Sequence, residues 1–271
     1  MTTVIASYNI KGGVGKTSAA VNLAQLAAAG GARVLLWDLD PQGAATFLLR
    51  VKPKIKGGGG KLVRGKSDPA ALIKGSDYER LDLLPADFSN RNMDLALDAT
   101  KRPTRRIARV LAPLADDYDF VFLDCPPAIS LASESVFEAS DALLVPLIAS
   151  LLSLRTFDQL RRFVIEEVRN GAGGPRIFAF FSMTDGRKRL HRELVAQTAA
   201  AYEGVLETVI PSASDVERMA VHRAALADVA PHGRAALAYA ELWAELRDRL
   251  DPAGSSSPAA ATRLGASPTP A

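Results

Sequence analysis

Apolar residues gather along this chain into seven short runs: "TVIASYN", "RVLLWD", "RLDLLPA", "YDFVFLD", "DALLVPL", "RIFAFFSM" and "VLETVIP". The runs are nearly continuous rather than alternating, the pattern of strands covered on both faces. Most are separated by stretches with apolar residues every three or four positions, which predicts helices. "TSAAVNLAQLAAAG" is alanine-rich and stops at Gly30-Gly31. "TRRIARVLAPLADD", "SLRTFDQLRRFVIEEVRN" and "RAALAYAELWAELRDRL" complete the helical set. Strands alternating with helices predict an α/β fold: a doubly wound, mostly parallel sheet with helices on both faces, forming a single domain over residues 1–250. No repeat of solenoid period interrupts the pattern.

Two segments depart from it. "KPKIKGGGGK" is glycine-rich and cationic and reads as a mobile loop within the domain. Residues 251–271, "DPAGSSSPAAATRLGASPTPA", have almost no large apolar side chains and read as a disordered tail.

Composition narrows the classes. At 48% hydrophobic and 23% charged, the chain is an ordinary globular sequence. No apolar run approaches the ~20 residues that cross a bilayer. The N-terminus enters a strand with neither a charged leader nor a small-residue cleavage site, so no export signal is expected. Cys125, the single cysteine, excludes an internal disulfide and a self-sufficient cysteine-ligated metal site. The expected compartment is the cytosol. Net charge is only +3, but the cations are clustered. Residues 50–66 hold seven basic residues and no acid, and "KRPTRRIAR" (101–109) and "GRKRLHR" (186–192) also lack acids. One such cluster is an ordinary solvated face; three raise the expectation of a polyanionic partner.

The chemistry concentrates in "YNIKGGVGKTSAAVNLA", residues 8–24. The strict phosphate-loop pattern G-x-x-x-x-G-K-[ST] is met by Gly15, Lys16 and Thr17, but Ile10 stands where its first glycine belongs. What remains is K-G-G-V-G-K-T between a strand and a helix. Gly12, Gly13 and Gly15 let backbone N–H groups turn toward phosphate oxygens, with Val14 and Ser18 completing the loop. The following helix aims its positive end at the same anion. Lys16 can reach the β- and γ-phosphates of ATP, and the Thr17 hydroxyl can ligate Mg²⁺.

This loop resembles the deviant phosphate loop of the ParA/MinD group of ATPases. "VLLWDLDPQGAAT" (34–46) and "YDFVFLDCPP" (118–127) are similar to that group's second motif and its Walker B strand with the switch. The stretch from "VIPSASDVERM" through "AELWAEL" resembles the ParA C-terminal region more loosely. The resemblance spans residues 2–250. It implies that Lys11 crosses a dimer interface to phosphates held by the other subunit, so that each ATP sees Lys16 from one chain and Lys11 from its partner. It also implies that Asp40 is the hydrolytic aspartate, that Asp38 supports the metal and its waters, and that the base lies against backbone near Pro211. Strand alternation would put Asp38 and Asp40 on one side of the chain. Asp124 follows four apolar residues at a strand's C-terminal end, where it can hold Mg²⁺ through water. Cys125 reads as a small buried residue, not a nucleophile.

The resemblance implies a ParA-type partitioning ATPase of the short kind, without an N-terminal helix-turn-helix. Such a protein forms an ATP-dependent homodimer that binds double-stranded DNA nonspecifically on the nucleoid. An activating partner, ParB-like or a cargo adaptor, stimulates hydrolysis. The candidate DNA contacts are Arg187, Lys188, Arg189 and Arg192, with Arg155, Arg161 and Arg162 next. Two other readings stand beside it. A MinD-like membrane switch needs an amphipathic C-terminal helix, and the tail has Leu264 as its only large apolar residue; no membrane partner is expected. A metabolic enzyme of the same fold, such as a dethiobiotin synthetase, would leave the basic clusters without a purpose. A nitrogenase iron protein needs cysteine pairs that Cys125 alone cannot supply within a subunit.

Overall fold

A computed structural model describes residues 2–168 and 174–251. Eight strands form one sheet: β1 (Thr3–Ser7), β2 (Val34–Asp38), β3 (Lys74–Gly75), β4 (Leu81–Leu84), β5 (Phe120–Asp124), β6 (Ala142–Ile148), β7 (Arg176–Thr184) and β8 (Val205–Pro211). Their order is β3-β4-β2-β5-β1-β6-β7-β8, and every pairing is parallel except β3 with β4. All seven apolar runs are strands. β3, two exposed residues at the edge, carries no apolar signal and was not visible in the pattern.

The helices are α1 (Lys16–Ala29), α2 (Ala44–Leu48), α3 (Gly59–Val63), α4 (Met93–Asp98), α5 (Arg106–Leu111), α6 (Leu131–Ala139), α7 (Leu151–Phe163), α8 (Arg189–Ala201), α9 (Ser214–His222), α10 (Leu226–Val229) and α11 (Arg234–Leu250). One face of the sheet buries residues of α3 to α7 against Leu35, Trp37, Leu123 and Phe181. The other buries α1, α2 and α9 to α11 against Ile5, Leu36, Phe122 and Phe180. Burying both faces removes most of the strands' apolar surface from water, at roughly 25 cal/mol per Å². α1 is alanine-rich because it is pressed between the sheet and α11, where larger side chains would not fit. It ends where Gly30 and Gly31 donate back to the carbonyls of Leu26 and Ala28.

Pro146 lies within β6, between two strands, a position proline normally avoids. β1 ends at Ser7, so its pairing with β6 stops at Leu144. The Pro146 carbonyl instead accepts the Asn9 side-chain amide at 2.7 Å. The missing N–H therefore falls where β1 has already left the sheet. The proline marks the gap through which the chain departs into the glycine-rich loop.

Two expectations are corrected. The segment "KPKIKGGGGK" is not a mobile loop. Ile55, Leu62 and Val63 are buried, α3 is built on its glycines, and Asp87 and Ser89 accept the backbone N–H groups of Ile55 and Gly59. Its apolar residues are too few to signal a helix, yet they reach the core between α4 and α5. The helix predicted over residues 104–117 is short: α5 stops at Leu111, and Pro113 cannot donate the N–H that would continue it. The tail expected to be disordered, residues 251–271, lies outside the described residues except for its first position, and so does the end of the stretch following α7.

Candidate functional site

The loop between β1 and α1 turns on Gly13 (φ 70°) and Gly15 (φ 99°), in the left-handed region that other residues adopt only with strain. A Cβ on Gly15 would also sit 2.9 Å from the Ser182 hydroxyl. Gly15 caps α1 with no side chain on the first N–H groups, leaving them free for an anion. The Ser7 hydroxyl donates to the Lys16 carbonyl at 2.9 Å, and the Asn9 side-chain oxygen accepts the Lys11 N–H at 2.9 Å, so β1 holds both ends of the loop. The Lys16 ammonium reaches across the loop to the Lys11 carbonyl at 2.9 Å and is 7% exposed. Burial pulls its pKa down, against the opposing pull of Asp124, Cys125 and Asp40. The Lys11 side chain is half-buried at the loop edge, and its ammonium joins no ion pair among the described residues.

Beneath the loop stand two buried carboxylates. Asp38 and Asp124 end adjacent strands in direct register, and Ser7 lies on the other side of Asp124. Both are fully buried. Both oxygens of Asp124 and Oδ1 of Asp38 make no hydrogen bond of ordinary geometry, although the Thr17 hydroxyl lies close enough to Asp124 to act on its charge. Burial pushes the Asp124 pKa well above the usual carboxylate range, and the Asp38 charge adds to it; Thr17 and Lys16 pull the other way. Burial raises Asp38 to about 6, against two hydrogen bonds from Thr46. Buried oxygens without partners are costly unless something cationic meets them. Among the described residues no cluster of three or more His, Cys, Asp or Glu could cage an ion. Mg²⁺ keeps most of its waters and takes one or two protein oxygens plus phosphates, a demand that the open oxygens of Asp38 and Asp124 can meet. The residues present therefore fit a magnesium-bound phosphate group.

Asp40 is half-buried in the turn that follows β2. Its Oδ1 accepts the Gln42 N–H at 2.9 Å, and its carbonyl accepts that of Gly43. β2 ends at Asp38, so the expected strand alternation does not reach Asp40. Its charge nevertheless bears on Lys16, Asp38 and Asp124, which places it at the same centre. Cys125 is buried, and burial pushes its thiol pKa up, which removes it as a nucleophile.

Comparison with known proteins gives the family and the fold. The profile of a family described as "AAA domain" matches residues 2–171. The sporulation initiation inhibitor protein Soj of Bacillus subtilis is 29% identical over 250 residues, 91% of this chain and 98% of Soj. The chromosome partitioning protein ParA of Caulobacter vibrioides is 34% identical over 216 residues, 77% of this chain and 80% of that protein. The chain belongs to the ParA/MinD family of ATPases. A solved structure of cobyrinic acid a,c-diamide synthase from Mycobacterium smegmatis, with bound ADP and magnesium, superposes with a TM-score of 0.79 at 29% identity, covering 94% of this chain and 97% of that one.

Within this ParA/MinD frame, three residues near the site had gone unassigned by sequence reasoning. Thr46 donates its N–H and hydroxyl to Asp38 Oδ2 at 2.8 and 2.7 Å, and its hydroxyl accepts the Ala86 N–H at 2.8 Å. It fixes which oxygen of Asp38 is left open. A threonine six residues past the "DLD" turn was the only sequence signal. Thr46→Val is expected to lower stability by about 2 kcal/mol, because a buried N–H and a carboxylate oxygen each lose a partner; Thr46→Ser should restore most of it. Denaturant titration checks both. Ser182 and Met183 were the other two. With Gly15, Ser18, Pro211 and Tyr239 they line a cavity of about 90 Å³ beside the loop, so Pro211 does stand next to the phosphate loop. Met183 holds φ at 54°, an uncommon conformation for its type.

Two of the candidate DNA contacts, Arg187 and Lys188, line a cavity of about 640 Å³ together with Met183 and Pro211, the residues that also border the loop. "GRKRLHR" opens α8 as expected. Arg187 pairs with Asp185 at 3.0 Å, Arg189 with Glu193 at 2.6 Å, and Arg192 donates to the Gly186 carbonyl. These are exposed contacts worth little and readily exchanged. On α7, Arg155 and Arg162 are exposed, whereas the Arg161 guanidinium lies 4.4 Å over the Tyr202 ring and is partly engaged there.

Proposed function

We propose that this ParA/MinD-family protein is an ATP-driven partitioning switch. It binds Mg²⁺-ATP in the loop Gly12–Ser18, dimerises around it, binds duplex DNA without reading bases, and hydrolyses ATP when a partner protein engages. The cargo is a plasmid, a chromosome or a protein assembly. One observation carries the reading: a buried lysine and three unpartnered carboxylate oxygens converge under a glycine loop, beside a second lysine, Lys11, that has no carboxylate of its own. In this reading Lys16 holds the β- and γ-phosphates and Thr17 ligates the metal, while Asp38 and Asp124 orient its waters. Asp40 orients the attacking water, and Pro211 flanks the base. Mg²⁺ supplies charge neutralisation on the phosphates. Lys11 reaches the partner's γ-phosphate and makes the dimer dependent on ATP rather than ADP. The name of the Caulobacter vibrioides relative, a chromosome partitioning protein, supports the partitioning role. Among the described residues no helix is long and apolar enough to cross a membrane.

A second reading has its own observation. A cavity of about 160 Å³ lies between the Asp40 turn and the segment after Asp124, lined by Leu39, Pro41, Asn90, Met93, Cys125 and Val136 among others. Asn90 is buried with its side-chain amide unpartnered. A small substrate seated there, next to an activated phosphate, is what a synthase would need, and the similarity to the Mycobacterium smegmatis enzyme supports that use. Titration of a random-sequence duplex with ATP, ADP and no nucleotide separates the two. The partitioning reading expects ATP to strengthen binding over the ADP and nucleotide-free states at the same salt. Affinity unchanged by ATP, with turnover unaffected by DNA, would favour the synthase.

A further inference from the structure

The partitioning reading leaves the two other basic clusters, 50–66 and 101–109, without a role. Together they hold twelve basic residues and no acid. The fold joins them. Arg106 donates to the Val63 carbonyl at 2.6 Å, and α3 packs against both α4 and α5. Lys52, Lys54, Lys56, Lys61, Arg64 and Lys66 are all exposed, as are Lys101, Arg102, Arg105 and Arg109. Among the described residues, Arg105 is the one of these ten that enters an ion pair, with Glu138 at 2.7 Å. The backbone beneath is fixed rather than loose. Asp87 accepts the N–H groups of Ile55 and Ser89, and the Ser89 hydroxyl accepts that of Gly59. Two acids beside these segments are engaged by backbone, Asp87 as described and Asp68 on the Ala70 N–H, and Asp87 also feels the charge of Lys54.

We infer that this joined surface is a second contact for the phosphate backbone of duplex nucleic acid. It lies at the β3–β4 end of the sheet, whereas α8 and its cations lie beside β7 and β8. Three features select that partner. Cations without a carboxylate partner can neutralise phosphates and release their condensed counterions without first breaking an ion pair. Neither segment exposes a large apolar side chain: Ile55, Leu62, Val63 and Ile107 are buried. Stable anchoring on a lipid surface adds inserted apolar residues to the basic ones, and a protein partner would use them as anchors. The neighbouring segment 88–95 does expose Phe88 and Leu95, but Arg91 covers the Phe88 ring at 4.3 Å. Finally, the surface is built within one chain, so it works with or without nucleotide.

That last property separates this inference from the partitioning switch, whose DNA binding needs ATP. The test uses full-length protein and the Lys52→Gln, Lys54→Gln, Lys56→Gln, Lys61→Gln variant, all four at exposed positions, with melting temperature as the folding control. A labelled random-sequence duplex is titrated at about 50 to 200 mM salt, with and without ATP. The nucleotide-free wild type is expected to bind at low salt. The slope of log affinity against log salt should be shallower by about three to four units in the variant, ~0.9 per lysine, in both states. No binding by nucleotide-free wild type, or an unchanged slope, overturns the inference. So does loss of binding to phosphatidylserine vesicles with duplex binding intact, which would assign the surface to lipid. Failure of ATP-dependent dimerisation would sink the switch and leave the nucleotide-free slope to decide this surface.

Discussion

Lys16→Ala is expected to weaken Mg²⁺-ATP binding by about two orders of magnitude. The ammonium now sits over the loop, 2.9 Å from the Lys11 carbonyl, in the space that phosphates would fill. It has been stripped of water, and burial has already pulled its pKa down. A bound phosphate restores a counter-charge at short range, so the attraction is large relative to an exposed lysine. Losing charge-assisted hydrogen bonds at about 1.5–3 kcal/mol each gives the expected factor. Lys11→Ala should differ in kind. Lys11 lies at the loop's edge without a carboxylate, so one-chain binding should survive while the ATP-dependent dimer is lost. Equilibrium binding of labelled ATP and sedimentation with ATP distinguish them. Undiminished affinity in Lys16→Ala, or a normal dimer in Lys11→Ala, would contradict the assignment.

Asp124→Asn is expected to raise the melting temperature of the nucleotide-free protein by about 5 °C and to remove magnesium-dependent turnover. Asp124 and Asp38 are neighbours in register, both buried, with three oxygens unpartnered. Their repulsion is a cost accepted for the metal, and relief of about 2 kcal/mol converts to that shift for a chain of this size. The pH dependence follows from the same pair. Both pKa values are raised on folding, so between the unfolded value near 4 and the folded value the native state binds more protons than the unfolded chain. Stability therefore falls as pH rises through that window, which for Asp38 ends near 6. Above it the full cost is present; below about 4 it is relieved. Melting curves from pH 4 to about 7.5 should show wild type losing stability that the variant retains. A lower melting temperature in Asp124→Asn, or parallel pH curves, would mean that the carboxylates are already compensated.

Sequence alone determined the sheet and the phosphate loop. Seven strands were readable because a strand buried on both faces must be apolar throughout, and "VLLWD" or "FVFLD" can serve little else. The loop was readable because Gly13 and Gly15 are needed where φ is positive, and Lys16-Thr17 must follow directly. Both are constraints among residues adjacent in the chain. Tertiary structure decided what depends on distant residues meeting. Only register shows that Asp38 faces Asp124 with no partner for three oxygens, and only packing shows that Thr46 chooses which oxygen of Asp38 stays open. The glycine-rich stretch at 50–66 looked loose because its local composition is loose. Ile55, Leu62 and Val63 order it by reaching a core formed from α4 and α5, and no local pattern encodes that core. The same packing sets the cations of 50–66 beside those of 101–109, forty residues apart in the chain, as one surface. Local propensity carries backbone requirements; the meeting of charges is a property of the folded shape.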